Sequence, residues 1–379
     1  MKKKIYYWGP FLDRVGTVRA IANSANSVNN YSKKMETFII NAIGEWTKIS
    51  DEDENLKLIN LNNNFYEKLP KYSYLKSRFS YIFIFLKCFF PLKKLLKRDQ
   101  PDFLIIHLIV ILPMVLFMLF KFKTKLCLRI SGKVKLNFLR KFLWKISSKK
   151  IYKVFCPTYE TKKQLVDEKI FDENKIIVLK DPVIKVSRLF KYKNEKDIIK
   201  KFSINNIILV GRLTKQKNFE LFIKVFSKIV EKFPNLKANI FGEGELEQDL
   251  QNIIKSHKLE NKIFLHGSTE NVFKYMKNSK ILVLSSLWED PGAVLMEAAY
   301  CNTLIVSSDC PSGPKEFLLN GDAGFLFKNN SIESFEKTLT NALNAKENDV
   351  LKKIVKAKKN SKDYTFFMHF KFLEKYLLS

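Results

Sequence analysis

Apolar residues in this chain fall into two kinds of run that alternate from end to end. The first kind is short and nearly continuous: residues 5–8, 103–107, 125–130, 151–156, 175–179, 207–210, 238–241, 262–265, 281–284 and 303–306. Such runs, rich in Ile, Val, Leu and Phe, predict strands buried on both faces, as in parallel sheets. The second kind recurs every three or four residues and predicts helices over 18–31, 136–147, 160–168, 219–233, 269–277, 293–300, 332–343 and 364–378. Strand–helix alternation in both halves predicts two doubly wound α/β sheets. Asp181-Pro182-Val183 leads into a linker, so domains are expected at 1–185 and 186–360, with a last helix at 361–379.

Two stretches depart from this alternation. Residues 75–96, LKSRFSYIFIFLKCFFPLKKLL, are aromatic, apolar and basic. They read either as a core helix or as a helix lying in a membrane interface, and the lack of any acid favours the interface. Residues 103–120 are long and apolar enough for a membrane span. Asp102, His107 and Pro113 interrupt that reading, so a strand at 103–107 and a buried helix near 112–121 are expected instead.

Charge sharpens the picture. The formal net charge is +29, and between residues 68 and 159 the only acids are Asp99 and Asp102, against 21 Lys and Arg. A uniform compositional bias would spread along the chain. Basic residues interleaved with long apolar runs point to an anionic membrane surface, and no nucleic-acid module is readable. The five cysteines are scattered and show no C-x-x-C spacing, which argues against a disulfide framework or zinc site and for a reducing compartment. The four histidines also lack metal-ligand spacing. MKKKIYYWGPF breaks its apolar part at Gly9-Pro10 and reads as a strand and loop, not a signal peptide. Asp51-x-Asp53 sits in a polar stretch, and a solvated turn is expected there.

The chemistry concentrates in residues 281–316. An apolar strand ends at Ser285, and a loop carrying Glu289 and Asp290 leads through Pro291 and Gly292 into a helix beginning Ala293-Val294. A helix that starts at the carboxyl end of a parallel strand aims free N–H groups at the crevice above the sheet, a natural phosphate site. Glu297 follows Gly292 by five residues, roughly 7.5 Å along the axis. That is about the reach from a nucleotide's diphosphate to its ribose, so Glu297 is expected on ribose hydroxyls. Glu289, before the helix, is expected on a sugar beyond the diphosphate.

Glu289 and Glu297, with WEDPGAVLMEAAYCNTLIVSSDCPSGPKE around them, resemble the E-x7-E motif of family 4 retaining glycosyltransferases, in particular those that build bacterial surface polysaccharides such as O-antigen. The resemblance covers nearly the whole chain, strongly over 205–330 and loosely over 1–200. It implies a GT-B fold: two facing Rossmann-like domains, the first basic and acceptor-side, the second binding the nucleotide sugar, and a C-terminal helix that crosses back to the first. It also assigns roles. Gly211-Arg212 and Lys217 resemble the family's phosphate-binding pair, Arg212 forking onto a diphosphate and Lys217 adding a point charge. Gly242 and Gly244 let the backbone approach the nucleotide, and His266 lies near the base. Gly16 and Thr17 occupy the loop that meets donor phosphates and acceptor. Glu289, Arg212 and Lys217 are the expected catalytic residues, with Pro291, Gly292, Ala293 and Val294 at the diphosphate.

What the resemblance further implies is a peripheral enzyme at the inner face of the cytoplasmic membrane. It would transfer a hexose or N-acetylhexosamine from a UDP-sugar, or from GDP-mannose, to a lipid-linked saccharide, without metal or cofactor. One departure stands out: family members often carry a cleft histidine near the position of Ser131-Gly132, and this chain has none, leaving His107 as a candidate on the acceptor side. An epimerase of the same fold, which needs no basic-aromatic acceptor surface, is the alternative, and a nucleic-acid binder is a more distant one.

Overall fold

The computed structural model describes residues 2–12, 16–52, 55–61, 65–70, 74–134, 136–193 and 206–379. It divides into two compact units: Met1–Pro182 with Phe366–Ser379, and Val183–Thr365. The divisions fall at 182/183 and 365/366, where the sequence suggests 185/186 and 360/361.

The first unit runs β1 (Lys3–Trp8), α1 (Gly16–Tyr31), β2 (Met35–Asn41), α2 (Thr47–Glu52), β3 (Leu58–Asn60), α3 (Tyr74–Asp99), β4 (Phe103–Ile106), α4 (Ile111–Leu119), β5 (Lys125–Arg129), α5 (Phe138–Ser147), β6 (Ile151–Cys156), α6 (Tyr159–Asp167) and β7 (Ile176–Val178). Its strands pair in parallel in the order β3-β2-β1-β4-β5-β6-β7. Alternate residues of each strand bury into opposite layers. Tyr6, Trp8, Leu104, Ile106, Leu126 and Leu128 meet Ile84, Leu92, Leu116 and Trp144 from α3, α4 and α5. Ile5, Tyr7, Phe103, Ile105 and Cys127 meet Ile21 and Ala25 of α1 on the other side. Thr158 caps α6 by accepting from the Thr161 N–H, and Asn137 caps α5 through Arg140.

The second unit runs α7 (Val186–Lys193), β8 (Asn206–Val210), α8 (Phe219–Lys232), β9 (Lys237–Phe241), α9 (Glu247–Ser256), β10 (Ile263–Leu265), α10 (Phe273–Lys277), β11 (Ile281–Leu284), α11 (Ala293–Tyr300), β12 (Leu304–Ser308), α12 (Pro314–Phe317), β13 (Phe325–Phe327), α13 (Ile332–Leu343) and α14 (Glu347–Ser361). Its parallel order is β10-β9-β8-β11-β12-β13. The last helix, α15 (Phe366–Leu378), belongs to the first unit. It packs on α1, where the Tyr31 ring meets Phe367 and Phe370. Both sheets reverse strand order once, at β1/β4 and at β8/β11. Loops leaving a switch point diverge and open a crevice at the carboxyl edge.

Two expectations need correction. The stretch around Asp51 is not a loop: residues 47–52 form α2, anchored by the fully buried Trp46, and Asp53 lies outside the described residues. The helix expected from 269 starts at Phe273, because the Asn271 side chain accepts from the Lys274 N–H and sets the entry. The apolar run 103–120 is, as expected, a fully buried strand, β4, followed by a helix, the nine-residue α4. No helix among the described residues is long and apolar enough to cross a membrane. All five cysteines are buried and none forms a disulfide.

Candidate functional site

Apart from Gly16 and Thr17, the predicted donor residues lie on four loops at the carboxyl edge of the second sheet. β11 is buried throughout and delivers Ser285 and Ser286, both buried, to that edge. The next turn is pinned from three sides. The Leu287 N–H donates to the Gln216 carbonyl (2.8 Å), and Gln216 Nε2 donates to the Trp288 carbonyl (2.9 Å). The Glu289 N–H donates to the Pro311 carbonyl (3.2 Å), and Asn329 Nδ2 to the Leu287 carbonyl (2.9 Å).

Glu289 is 4 % exposed and is held by two donors on one oxygen. Lys217 Nζ and Ser286 Oγ each lie 2.5 Å from Oε1. Oε2 has no partner among the described residues. Lys217 is fixed in turn, since Ser285 Oγ donates to its carbonyl at 2.9 Å. The pair thus bridges the loops after β8 and β11, the two strands that flank the switch point. A short, buried, charge-assisted contact of this kind fixes both side chains.

Behind it, Gly292 caps α11 in the left-handed region (φ 87°) and offers no side chain to the first turn. The N–H groups of Ala293 and Val294 therefore stand at a helix start suited to an anion. Gly313 holds the adjacent loop close: a Cβ there would lie 2.3 Å from the Pro291 carbonyl oxygen. Glu297 is buried on α11.

The remaining candidates are placed differently. Arg212 is exposed, with no partner for its guanidinium among the described residues. His266 stacks on Phe241 (4.7 Å between centroids) and shares a 2.7 Å hydrogen bond with Asn239 Oδ1; burial lowers its pKa. Gly242 and Gly244 have a role the sequence reading lacked. A Cβ on Gly242 would sit 1.9 Å from the Gly211 carbonyl oxygen, and one on Gly244 2.4 Å from that of Leu213. These glycines let the loop after β9 pack on the loop that carries Arg212 and Lys217, where Gly211 and Leu213 donate to Phe241 and Glu243. With φ near +143° as well, Gly242→Ala is expected to cost about 2 kcal/mol or more in denaturant unfolding. Gly16→Ala, which meets nothing within 4 Å, is the neutral control.

Gly16 and Thr17 belong to the first unit, at the start of α1, where Thr17 Oγ1 donates to Ser131 Oγ at 3.1 Å. Ser131 thus stands beside the loop after β1. His107 faces inward. Both ring nitrogens are buried without a hydrogen-bond partner among the described residues, and its ring lies against Tyr7. Burial, then the charge of Arg129, pushes its pKa well below the usual histidine value. No carboxylate among the described residues is bonded to it, so nothing in this arrangement prepares it as a base. The residues that sequence reasoning missed are Ser286, Ser285 and Gln216. Two small polar residues closing an apolar strand were the available signal for the serines; Gln216 had none.

Residues 205–363 match the family model described as glycosyl transferases group 1. An uncharacterized glycosyltransferase of Methanocaldococcus jannaschii is 28 % identical over 305 residues, 76 % of this chain and 72 % of that one. An N-acetylgalactosamine-N,N'-diacetylbacillosaminyl-diphospho-undecaprenol 4-alpha-N-acetylgalactosaminyltransferase of Campylobacter jejuni is 32 % identical over 160 residues. That match spans 42 % of each chain. Among solved structures, Anabaena HepE in complex with UDP and glucose superposes with a TM-score of 0.72 at 13 % identity, covering 99 % of both chains. The chain is a glycosyltransferase of GT-B fold, similar over residues 205–363 to the glycosyl transferases group 1.

Proposed function

We propose that the chain is a retaining hexosyltransferase. It moves a hexose or N-acetylhexosamine from a nucleotide sugar, UDP-linked in preference to GDP-linked, to a lipid-linked saccharide. It works at the inner face of the cytoplasmic membrane in the synthesis of a surface polysaccharide. The Lys217–Glu289–Ser286 constellation at the switch point carries this reading. Glu289 Oε2, without a partner among the described residues, suits a sugar hydroxyl, and the start of α11 suits the diphosphate next to it. UDP in the HepE crystal and the undecaprenol-linked substrate in the C. jejuni name support the donor and acceptor classes.

In the reaction the bond between the anomeric carbon and the diphosphate oxygen breaks, and that oxygen keeps the electron pair. The acceptor hydroxyl oxygen bonds the same face of the anomeric carbon, and its proton passes to the departing phosphate. Arg212, Lys217 and the N–H groups of Ala293 and Val294 offset the charge that grows on the leaving group. Glu289 sits where positive charge develops on the ring. No protein nucleophile and no cofactor enter.

A panel of UDP- and GDP-sugars with a membrane-lipid acceptor fraction tests this, with free nucleotide diphosphate and anomeric configuration as readouts. Stoichiometric release of UDP with an α-linked product from an α-linked donor is the expected result; an inverted product would overturn retention. Excess chelator should leave the rate unchanged, and a complete loss restored by manganese would contradict metal-free catalysis.

A further inference from the structure

The layer of α3, α4 and α5 has an apolar inner side on the first sheet and a second apolar side facing solvent. On α3, Phe79, Ile82, Leu86 and Phe90 follow one another at spacings of three, four and four, and all are exposed, the two phenylalanines at 70 %. At 100° per residue they fall within an arc of about 80°, opposite the Ile84, Cys88 and Leu92 stripe that packs on the sheet. A helix that only closes a core needs one such stripe. α5 repeats the pattern. Phe138, Leu139, Phe142 and Ile146 are exposed on one side, Phe138 at 88 %, while Trp144 and Ser147 are buried on the other. α4 packs against both α3 and α5 and adds exposed Ile111 and Leu119, so the stripes belong to one surface.

The charge around these stripes is of one sign. Lys87 and Lys94 flank the α3 stripe and Lys97 continues it; Lys145 flanks that of α5, and Lys121 and Lys123 after α4 and Lys149 and Lys150 after α5 are exposed. The acids nearby are occupied. Asp99 holds Arg98 and Tyr6, Asp102 holds Lys3, and Glu168 holds Lys141.

We infer that this three-helix face docks in the plane of an anionic lipid bilayer, with the aromatic and aliphatic stripes at the headgroup–acyl boundary and the lysines on lipid phosphates. The charge complementarity selects this occupant. A second copy of the same face would oppose basic to basic, and nucleic acid would match the charge but leave the aliphatic stripe of Ile82, Leu86 and Ile146 wet. The helices lie along the surface: α4 at nine residues is about 13 Å long against a hydrocarbon core of roughly 30 Å, and α3 and α5 pack one side on the first sheet through Ile84, Cys88, Leu92 and Trp144. This inference deepens the reading above and rests on it in one respect, since a lipid-linked acceptor would share the bilayer the face binds.

Flotation of the full-length protein with vesicles, in the absence of substrate, decides the matter. Vesicles of phosphatidylcholine with a third phosphatidylglycerol should carry the protein up, and pure phosphatidylcholine should carry much less. Phe79→Ser/Leu86→Ser/Phe90→Ser and Phe138→Ser/Phe142→Ser should each lower partitioning by about tenfold or more. Lys94→Glu/Lys97→Glu/Lys145→Glu should abolish the preference for anionic lipid. All of these positions are exposed or solvent-facing, and circular dichroism and UDP affinity are the folding controls. Equal failure on both vesicle types, or variants that float like the parent, would overturn the inference. So would a concentration-dependent dimer in sedimentation that the serine variants lose, which would assign the patch to a second copy. Sugar transfer without vesicle binding sinks the docking face alone; vesicle binding without donor turnover sinks the functional reading alone.

Discussion

Glu289→Gln is expected to reduce sugar transfer by roughly 10² to 10³-fold while leaving UDP affinity within about twofold. The amide keeps the shape of the side chain and an oxygen for Ser286 Oγ and Lys217 Nζ, so the loop stays pinned. What it removes is the negative charge beside the sugar, and that charge matters most when positive charge builds on the ring. Glu289→Ala is the less informative variant. Its removal leaves the Lys217 ammonium, whose side chain is 16 % exposed, without its partner, at an expected stability cost of about 3 kcal/mol. Stopped-time product analysis with unfolding curves on both variants checks this. Equal loss of UDP binding and transfer in Glu289→Gln, with the fold intact, would move Glu289 from the sugar to the nucleotide.

Stability of the chain is expected to fall as pH drops below about 6.5, and His369 is a principal cause. Its ring is buried in the first unit, with Nδ1 2.7 Å from the Lys180 carbonyl and Nε2 2.7 Å from Ser24 Oγ. A carbonyl only accepts, so Nδ1 carries the proton and Nε2 accepts from the serine, whose oxygen lies 2.8 Å from the Tyr7 hydroxyl. Burial pushes the pKa down to about 3. The unfolded chain therefore binds a proton near pH 6.5 that the folded chain refuses until about pH 3. Between those values stability falls with pH, by about 1.4 kcal/mol per unit, or roughly 2 kcal/mol by pH 5. His107, lowered for the same reason, acts in the same direction. Glu45 opposes both: burial raises its pKa to about 7, so the folded chain is favoured as pH falls from 7 toward 4.5. The His369 contribution is isolated by subtraction. His369→Gln should lose stability at pH 7 through the lost hydrogen bonds and regain it relative to the parent on acidification. Parallel unfolding curves between pH 7 and 4 would contradict this.

How much of this was legible in the sequence varied with the range of the contacts involved. α13 coincides with the span expected from periodicity, because one apolar face repeats through Phe335, Leu339 and Leu343 against the core. β2 escaped notice because METFIIN mixes half-buried and buried positions, with Thr37 buried on a hydrogen bond to Ala25. α14 is harder to read: its apolar stripe of Val350, Ile354 and Ala357 is set among lysines, Leu351 and Val355 are half exposed, and only Ala357 and Ser361 are fully buried. The strand–loop–helix unit of Glu289 and Gly292 could be read because its elements are contiguous. The contact between Lys217 and Glu289 spans 72 residues, and no local pattern announces it. The glycines at 242 and 244 were read as openings for a ligand, whereas their need is set by the neighbouring backbone at Gly211 and Leu213.

The central claim is that α11 divides the donor, ribose toward Glu297 and sugar toward Glu289. Isothermal titration of UDP into the parent protein, Glu297→Ala and Glu289→Gln tests it most directly. Loss of a charged hydrogen bond to ribose should weaken UDP by about 1.5–3 kcal/mol in Glu297→Ala, roughly 10 to 150-fold, while Glu289→Gln binds UDP as the parent does. UDP affinity unchanged in Glu297→Ala, or lost equally in both variants with native circular dichroism, would contradict it.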